Sequence, residues 1–490
     1  MASNGIAMRA VENSFGVIEV PADCYYGGET ERSRRNFQIC MGRDKMPLPL
    51  IYALVMIKKV AAEINLKKSK ITKRQFDVIS HACDDILNGN LDKEFPLTVW
   101  QTGSGTQTNM NVNEVIANKA SEYDNGVRSA KPTIHPNDHV NCGQSTNDIF
   151  PTAMNLCIAI ETAFKVLPSL VNLKKALNEK AVAYKDVVKI GRTHLQDAVP
   201  MTVGQEIGAF VDQLSHVIEA IKRHLPEVCS LAVGGTAVGT GLNCMPQFDD
   251  EVCERLTEDV TKLSKNFNQN DMSETVQLKF KPAENKFAAL AAHDSLVQLS
   301  GAFNFAATVL FKIAKDFTLL SSGPSCGLGE LILPANEAGS SIMPGKVNPT
   351  QCESLAMVSI QLMGNHFTVS MAAAQGQLQL NVFKPIILLN MLHSCQLLTD
   401  SAHSFTVNCV QGIQLNTDRL KDHVDRSLML ATALNPHIGY DKSAKLVKYA
   451  HENKLTLREA AMKLGFVTAE QFDKIVRPHD MAFPFGKNTV

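Results

Sequence analysis

The chain has 490 residues, with 48 lysines and arginines against 49 aspartates and glutamates, for a formal net charge of -1. That balance gives no push towards nucleic acid or an acidic membrane surface, and the length predicts several domains or one large helical assembly. With 45% hydrophobic and 20% charged residues, the composition is that of a globular protein with a sizeable core.

The opening MASNGIAMRA lacks the apolar stretch of a secretory signal, and no apolar run reads as long enough to span a bilayer. VIEVPADCYYGGETERS (17–33) reads as irregular, and YALVMIKKVAAEINL (52–66) as helix. The cluster Lys58, Lys59, Lys67, Lys68, Lys70, Lys73 and Arg74 reads as a solvated face, because acidic residues follow nearby. Two polar loops come next, TGSGTQTNMN (102–111) and HPNDHVNCGQSTND (135–148), each leading into a helix-like run. A third is GRTHLQDAVP (191–200).

From 203 to 228 the residues Val203, Ile207, Phe210, Leu214, Val217, Ile221, Leu225 and Val228 recur at steps of three and four, the seam of a packed helix. Such a helix runs on the order of 40 Å at ~1.5 Å per residue. Thr202 and Gln205 have capping-box spacing before it. GGTAVGTGLN (234–243) has the wrong glycine spacing for a dinucleotide fingerprint and reads as a flexible loop at a helix end. A second seam follows in Leu296, Leu299, Phe303, Ala306, Leu310, Ile313, Phe317 and Leu320. Helices this long cannot bury their stripes alone, so a bundle shared between subunits is expected.

The fourth polar loop is GSSIMPGKVNPTQCE (339–353). Five residues separate Gly339 from Gly345 and Val347 follows Lys346, so it is not a Walker A loop. Asn348, Pro349 and Gln351 have the spacing of a helix cap, a first helical proline and a capping box. From about 418 the chain reads as a smaller helical unit. Strand signals are sparse, so the class is mainly α, with domains expected at 1–142, 143–417 and 418–490. Twelve scattered cysteines without a CxxC pair indicate reduced thiols and a cytoplasmic or organelle-matrix setting. Helix starts carry unpaired N–H groups and partial positive charge. Four of them, with Lys346, His194 and Glu353 among them, point to a site for a small polyanion.

GSSIMPGKVNPTQCE closely resembles the signature of the fumarase/aspartase superfamily, and specifically of class II fumarases. TGSGTQTNMNVNEV, HPNDHVN, STNDIFPTAM, KIGRTHLQDAVP, LAVGGTAVGTGLN and ALNPHIGYDK resemble the same family in the same order, from about Val17 to Met481. Aspartases typically carry Ala where Gly345 stands and lack the Thr-Gln-Cys-Glu run at 350–353. The resemblance implies a three-domain, almost all-helical subunit and a homotetramer on a central bundle of long helices. It implies active sites built from loops of three subunits, a small dicarboxylate substrate such as fumarate or malate, and no metal or other cofactor. It places the chain in the cytoplasm or the mitochondrial matrix.

By the family pattern, Ser340 takes a proton from carbon, His194 handles water, and Glu353 orients or charges that histidine. Lys346 and Asn348 hold a substrate carboxylate. Ser104, Gly105, Thr106, Ser145, Thr146, Asn147, Thr193, Ser341 and Val347 complete the substrate pocket. His135, Pro136, Asn137 and Asp138 resemble a second, peripheral dicarboxylate site. The chain departs from the pattern at Cys142-Gly143 (usually Lys-Ser), Gln379 (Glu), Ser325 (Arg) and Pro132 (Arg), and in a longer segment at 264–283.

Overall fold

The structure is a computed structural model and describes residues 7–13, 16–126, 132–267 and 276–484. Residues 1–6, the middle of the longer segment at 264–283 and the end of the chain from 485 lie outside the described residues.

Strands β1 (Met8–Asn13) and β2 (Gly16–Pro21) pair antiparallel, Met8 opposite Pro21. Ile18 and Val20 point inward while Val17 and Glu19 face out, the period of two that a half-buried strand requires. The stretch read as irregular therefore begins in a strand, and it ends in α1 (Gly28–Asn36). Then come α2 (Leu48–Lys67), α3 (Lys73–Leu87) and α4 (Thr106–Asn125). Helix α5 (Thr146–Glu161) passes through a π turn into α6 (Leu167–Ala183). A hairpin of β3 (Val188–Thr193) and β4 (Gln196–Thr202) leads into α7 (Val203–Val228). Thr202 and Gln205 form the expected reciprocal cap, at 3.0 and 3.1 Å.

Strand β5 (Ser230–Leu231), α8 (Phe248–Phe267), β6 (Lys281–Pro282) and α9 (Lys286–Ala291) follow, with β5 and β6 parallel. Next are α10 (Asp294–Leu320), β7 (Leu331–Ile332), α11 (Thr350–Ala373), α12 (Lys384–Asn408) and β8 (Gln414–Leu415), the last antiparallel to β7. Short helices α13 (Thr417–Arg426), α14 (Asn435–Ile438), α15 (Tyr440–Glu452), α16 (Leu457–Leu464), α17 (Ala469–Ile475) and α18 (Pro478–Ala482) end the described chain. The class is mainly α, as expected.

Two compact units form, each from three separated stretches. One comprises Met1–Pro168, Glu219–Phe305 and Gln361–Leu398. Inside it α2 packs on α3, α5 and α8, and Ser300 of α10 bonds His366 of α11 at 3.0 Å. The other comprises Ser169–Ile218, Ala306–Ile360 and Thr399–Val490. There the Phe317 ring of α10 meets Phe210 of α7 edge to face and Phe405 of α12 at a tilt, with ring centroids 5.8 and 5.9 Å apart. Both helical seams are buried throughout, from Val203 at 1% exposed to Val228 at 0%, and from Leu296 at 0% to Leu320 at 7%. Each large seam side chain so buried stabilises by about 1.5–3 kcal/mol relative to exposure.

Two stretches, Thr146–Ala183 and Asp294–Leu320, do have the length and hydropathy of a membrane span, against the reading above. Their most apolar windows are 61% and 56% buried inside the protein, so most of that apolar surface is already covered by neighbouring elements. The lysine cluster also needs correction. Lys59, Lys67, Lys68, Lys73 and Arg74 pair with acids at the surface, but Lys58 is fully buried. It lies on the same inward stripe as Ile51, Leu54, Ala61 and Asn65.

Candidate active site

In the first unit the 102–106 loop ends at Gly105, which has φ 83° and starts α4. A Cβ there would sit 2.3 Å from the Phe150 ring, so only glycine fits. Ser104 is buried and its Oγ lies 2.9 Å from Thr106 Oγ1, which places two hydroxyls side by side at the positive end of a 20-residue helix. Gln101 accepts from the Thr108 amide at 3.0 Å and holds the turn.

Ser145 caps α5 with Asp148 in a capping box. Asn147 donates its side-chain amide to the Ala237 carbonyl at 2.8 Å, and Thr146 Oγ1 accepts from Asn109 Nδ2 at 3.0 Å. Asp148 is buried and accepts from the amides of Gly234 at 2.9 Å and Ser145 at 3.0 Å. Burial pushes its carboxyl up to about 6 despite those bonds. The glycine-rich 234–243 segment is therefore tied to the start of α5 by Asp148 and Asn147, not a loose helix end.

The 135–140 turn is a single π turn capped by His135, whose Nδ1 accepts from the amides of Asn137 at 3.3 Å and Asp138 at 3.1 Å. His135, Asn137 and Asp138 are exposed, and Pro136 is half-buried. Asn141, which closes this turn, carries the chain on towards Ser145.

In the second unit GRTHLQDAVP is not a loop but the β3–β4 hairpin, with Thr193 opposite Gln196. His194 and Leu195 form its two-residue tip at φ 55° and 61°. Both angles lie in the left-handed region, a type I′ arrangement normally made by Asn-Gly. For non-glycine residues it costs about 1–2 kcal/mol each, and strain of this kind concentrates at functional sites. Thr193 and His194 are exposed there. The foot of the hairpin is held by buried charge. Glu330 is 1% exposed, and its oxygens lie 2.7 Å from Arg192 Nη2, 3.0 Å from Lys189 Nζ and 3.0 Å from His423 Nδ1. Lys189 also reaches Glu206 at 2.6 Å. Burial alone would raise the Glu330 carboxyl; Lys189 and Arg192 outweigh it and hold it below the usual range.

The 339–349 loop closes on itself. Gly339 N–H donates to the Lys346 carbonyl at 3.0 Å, and Asn348 Nδ2 donates to the Gly339 carbonyl at 2.8 Å. A Cβ on Gly339 would fall 2.3 Å from the Lys346 oxygen. Ser340 Oγ accepts from the backbone N–H groups of Ile342 at 3.2 Å and Met343 at 3.1 Å. Lys346 Nζ donates to Asn348 Oδ1 at 2.5 Å. Residues 341–347 are exposed, Ile342 at 83%. The expected capping box at Asn348 does not form: its amide is spent on the loop, and Gln351 accepts from Ser404 at 2.9 Å. Helix α11 begins at Thr350 with Glu353 N–H donating to the Pro349 carbonyl at 3.0 Å, so Glu353 sits one turn in, exposed.

Direct bonds thus join Ser104 with Thr106, Thr146 with Asn109, and Lys346 with Asn348. Lys58, Asn109, Asn141, Asp148, Lys189 and Glu330 were not singled out for the site from sequence. For Lys58 the signal was present, a lysine at helical spacing on an apolar stripe. Of the departures, Gln379 and Ser325 are exposed loop residues, and the Cys142 carbonyl accepts from Asn65 Nδ2 at 3.1 Å.

Residues 16–364 match the family model described as Lyase, and 430–482 the one described as Fumarase C C-terminus. The chain is 58% identical over 477 residues to a fumarate hydratase of Schistosoma mansoni, covering 97% of this chain and 98% of that one. It is 52% identical to a mitochondrial fumarate hydratase of Danio rerio, covering 98% of this chain and 91% of that one. The crystal structure of the recombinant class II fumarase from Schistosoma mansoni superposes with a TM-score of 0.95, covering 98% of this chain and 100% of that one at 58% identity.

Proposed function

The chain belongs to the fumarase/aspartase lyase family, in its class II fumarase branch, and on that premise we propose that it catalyses the reversible hydration of fumarate to (S)-malate by a carbanion route without a metal. The observation that carries this reading is Ser340 Oγ receiving two backbone N–H bonds in a loop closed over Lys346.

In the dehydration direction the hard step is removing a carbon-bound proton beside a carboxylate. A serine hydroxyl is too weak an acid to be ionised at neutral pH without help. Two N–H donors, helped by the positive charge of Lys346 in the same loop, stabilise its alkoxide, and the oxygen then takes the proton from carbon. The electrons pass into the adjacent carboxylate as an aci-carboxylate dianion, which Lys346 as a point charge and Asn348 stabilise. His194, with Glu353 orienting it, gives a proton to the departing hydroxyl so that water and fumarate form. Ser104, Thr106, Ser145, Thr146, Asn147, Thr193, Ser341 and the loop backbone at Gly105 and Val347 supply neutral hydrogen bonds. His135, Pro136, Asn137 and Asp138 form the peripheral dicarboxylate site.

The assembly is a homotetramer with composite active sites. Helix α11 supports it: Glu353, Met357, Ile360, Gly364, Phe367 and Met371, spaced by alternating fours and threes, are all exposed on one side, an uncovered seam that starts at a site residue. The division at 142 and 417, the service of the tricarboxylic acid cycle or cytosolic fumarate metabolism, and a mitochondrial or cytoplasmic location belong to the same reading. The test is loss of fumarate absorbance on adding purified protein, with and without a chelator. Turnover that survives chelation and collapses in Ser340→Ala supports it; turnover abolished by the chelator, or unchanged in Ser340→Ala, overturns it.

A further inference from the structure

We infer that Lys58 is a positioning residue for substrate: its buried ammonium, acting through Asn141, fixes the loops that carry Ser104, Thr106 and Ser145–Asn147. The inference rests on the reading of those loops as the substrate pocket. Lys58 is 0% exposed in the middle of α2. Its Nζ donates to Asn141 Oδ1 at 3.0 Å and Gln144 Oε1 at 3.4 Å. Asn109, on the helix that starts at Thr106, donates to the same Asn141 oxygen at 3.4 Å and to Thr146 Oγ1 at 3.0 Å. Asn141 in turn donates to the Gln144 carbonyl at 3.2 Å. One ammonium therefore underpins the end of the His135 turn, the 141–146 segment and the start of α4 together.

Burial is costly for this group and pushes it down to about 7, against the pull of Asp148 and Cys83. An apolar side chain on this stripe would be the cheaper core, since a buried charge is weak support for stability. What the lysine supplies is direction: it fills the acceptor oxygens of two side chains whose remaining bonds set the loops.

The test compares Lys58→Met, Asn141→Ala and the double variant with the parent chain, reading melting temperature and steady-state constants for fumarate. Loss of a charge-assisted bond predicts KM raised about tenfold to a hundredfold, kcat within about threefold, and a melting temperature for Lys58→Met within about 3 °C of the parent's. The double variant should be no worse than the weaker single, because both break one connection. A fallen melting temperature with KM intact, or KM effects that multiply, overturns the inference. Should Lys58→Met fail to fold, Asn141→Ala carries the same KM criterion, and an unchanged KM there overturns it. Silence of the parent chain towards fumarate sinks the functional reading and this inference with it; an active parent with unaltered variants sinks this inference alone.

Discussion

Replacing Glu330 by glutamine keeps the shape of the side chain and removes one buried negative charge between Lys189 and Arg192. At an effective dielectric of about 20, a pair at 2.7–3.0 Å attracts by roughly 6 kcal/mol. Desolvation of the same ions costs several kcal/mol each, so the intact cluster is near break-even, while losing one partner costs about 3–5 kcal/mol. The orphan is Arg192. Lys189 keeps Glu206 at 2.6 Å, but the other acid near Arg192, Asp197, lies 3.9 Å away and 62% exposed. For a 490-residue chain unfolding as a whole, with ~2 cal/mol/K per residue, that lowers the melting temperature by about 3–5 °C. Because Arg192 immediately precedes Thr193 and His194 on the strained hairpin, kcat should also fall, by about tenfold or more, since displacements near 1 Å carry losses up to ~100-fold. Differential scanning calorimetry and a fumarate absorbance assay measure the two, and Glu330→Asp should recover part of both. A glutamine variant within 1 °C and twofold of the parent, thresholds on the order of experimental scatter, would refute the reasoning.

Ser340→Ala should lower kcat by roughly 100- to 10,000-fold with the mass by light scattering unchanged; a residual rate near the parent's would remove Ser340 from the chemistry. Phe367→Glu, at a position 68% exposed on α11, should reduce the assembled mass while leaving helical circular dichroism intact, because a carboxylate in an apolar seam is costly to desolvate; an undiminished mass would place the subunit contact elsewhere. His293 is buried, and burial, with Lys384 nearby, pushes it down to about 3. A folded-state value below the unfolded one means stability is full above about 6.5 and is lost as pH falls towards 3, by about 2 kcal/mol between pH 7 and 5. His293→Phe should flatten that part of the stability–pH curve, and an unaltered slope in urea titrations would contradict the assignment.

The long helices were legible because their stripes repeat at steps of three and four over seven turns, a signal that burial of Val203 to Val228 and Leu296 to Leu320 obeys residue by residue. The β3–β4 hairpin was not, because His194-Leu195 lacks the Asn-Gly chemistry that announces a two-residue turn; tertiary support at Glu330 holds what local preference opposes. Asn348 fitted a helix cap by spacing, yet its Oδ1 accepts from Lys346 while its Nδ2 closes the 339–349 loop, a choice between two donors for one oxygen that sequence does not rank. Lys58 was misplaced because neighbouring lysines were read as one charged face, while the helix turns about 100° per residue and sends one of them inward. The side chains proposed for catalysis were recognisable by motif; the buried groups beneath their loops were not.

Each compact unit needs chain from three regions, the last beginning at Gln361 for one and Thr399 for the other. During synthesis at about 5–20 residues per second, helix α7 leaves the ribosome roughly 10–40 s before its latest partners exist, with part of its apolar stripe lacking cover. Neither unit can be completed before its last stretch of chain is made. The architecture therefore imposes a long interval of exposed seams on every nascent copy, and it makes yield in the cell sensitive to holding factors and to translation speed in a way that the stability of the finished fold does not reveal.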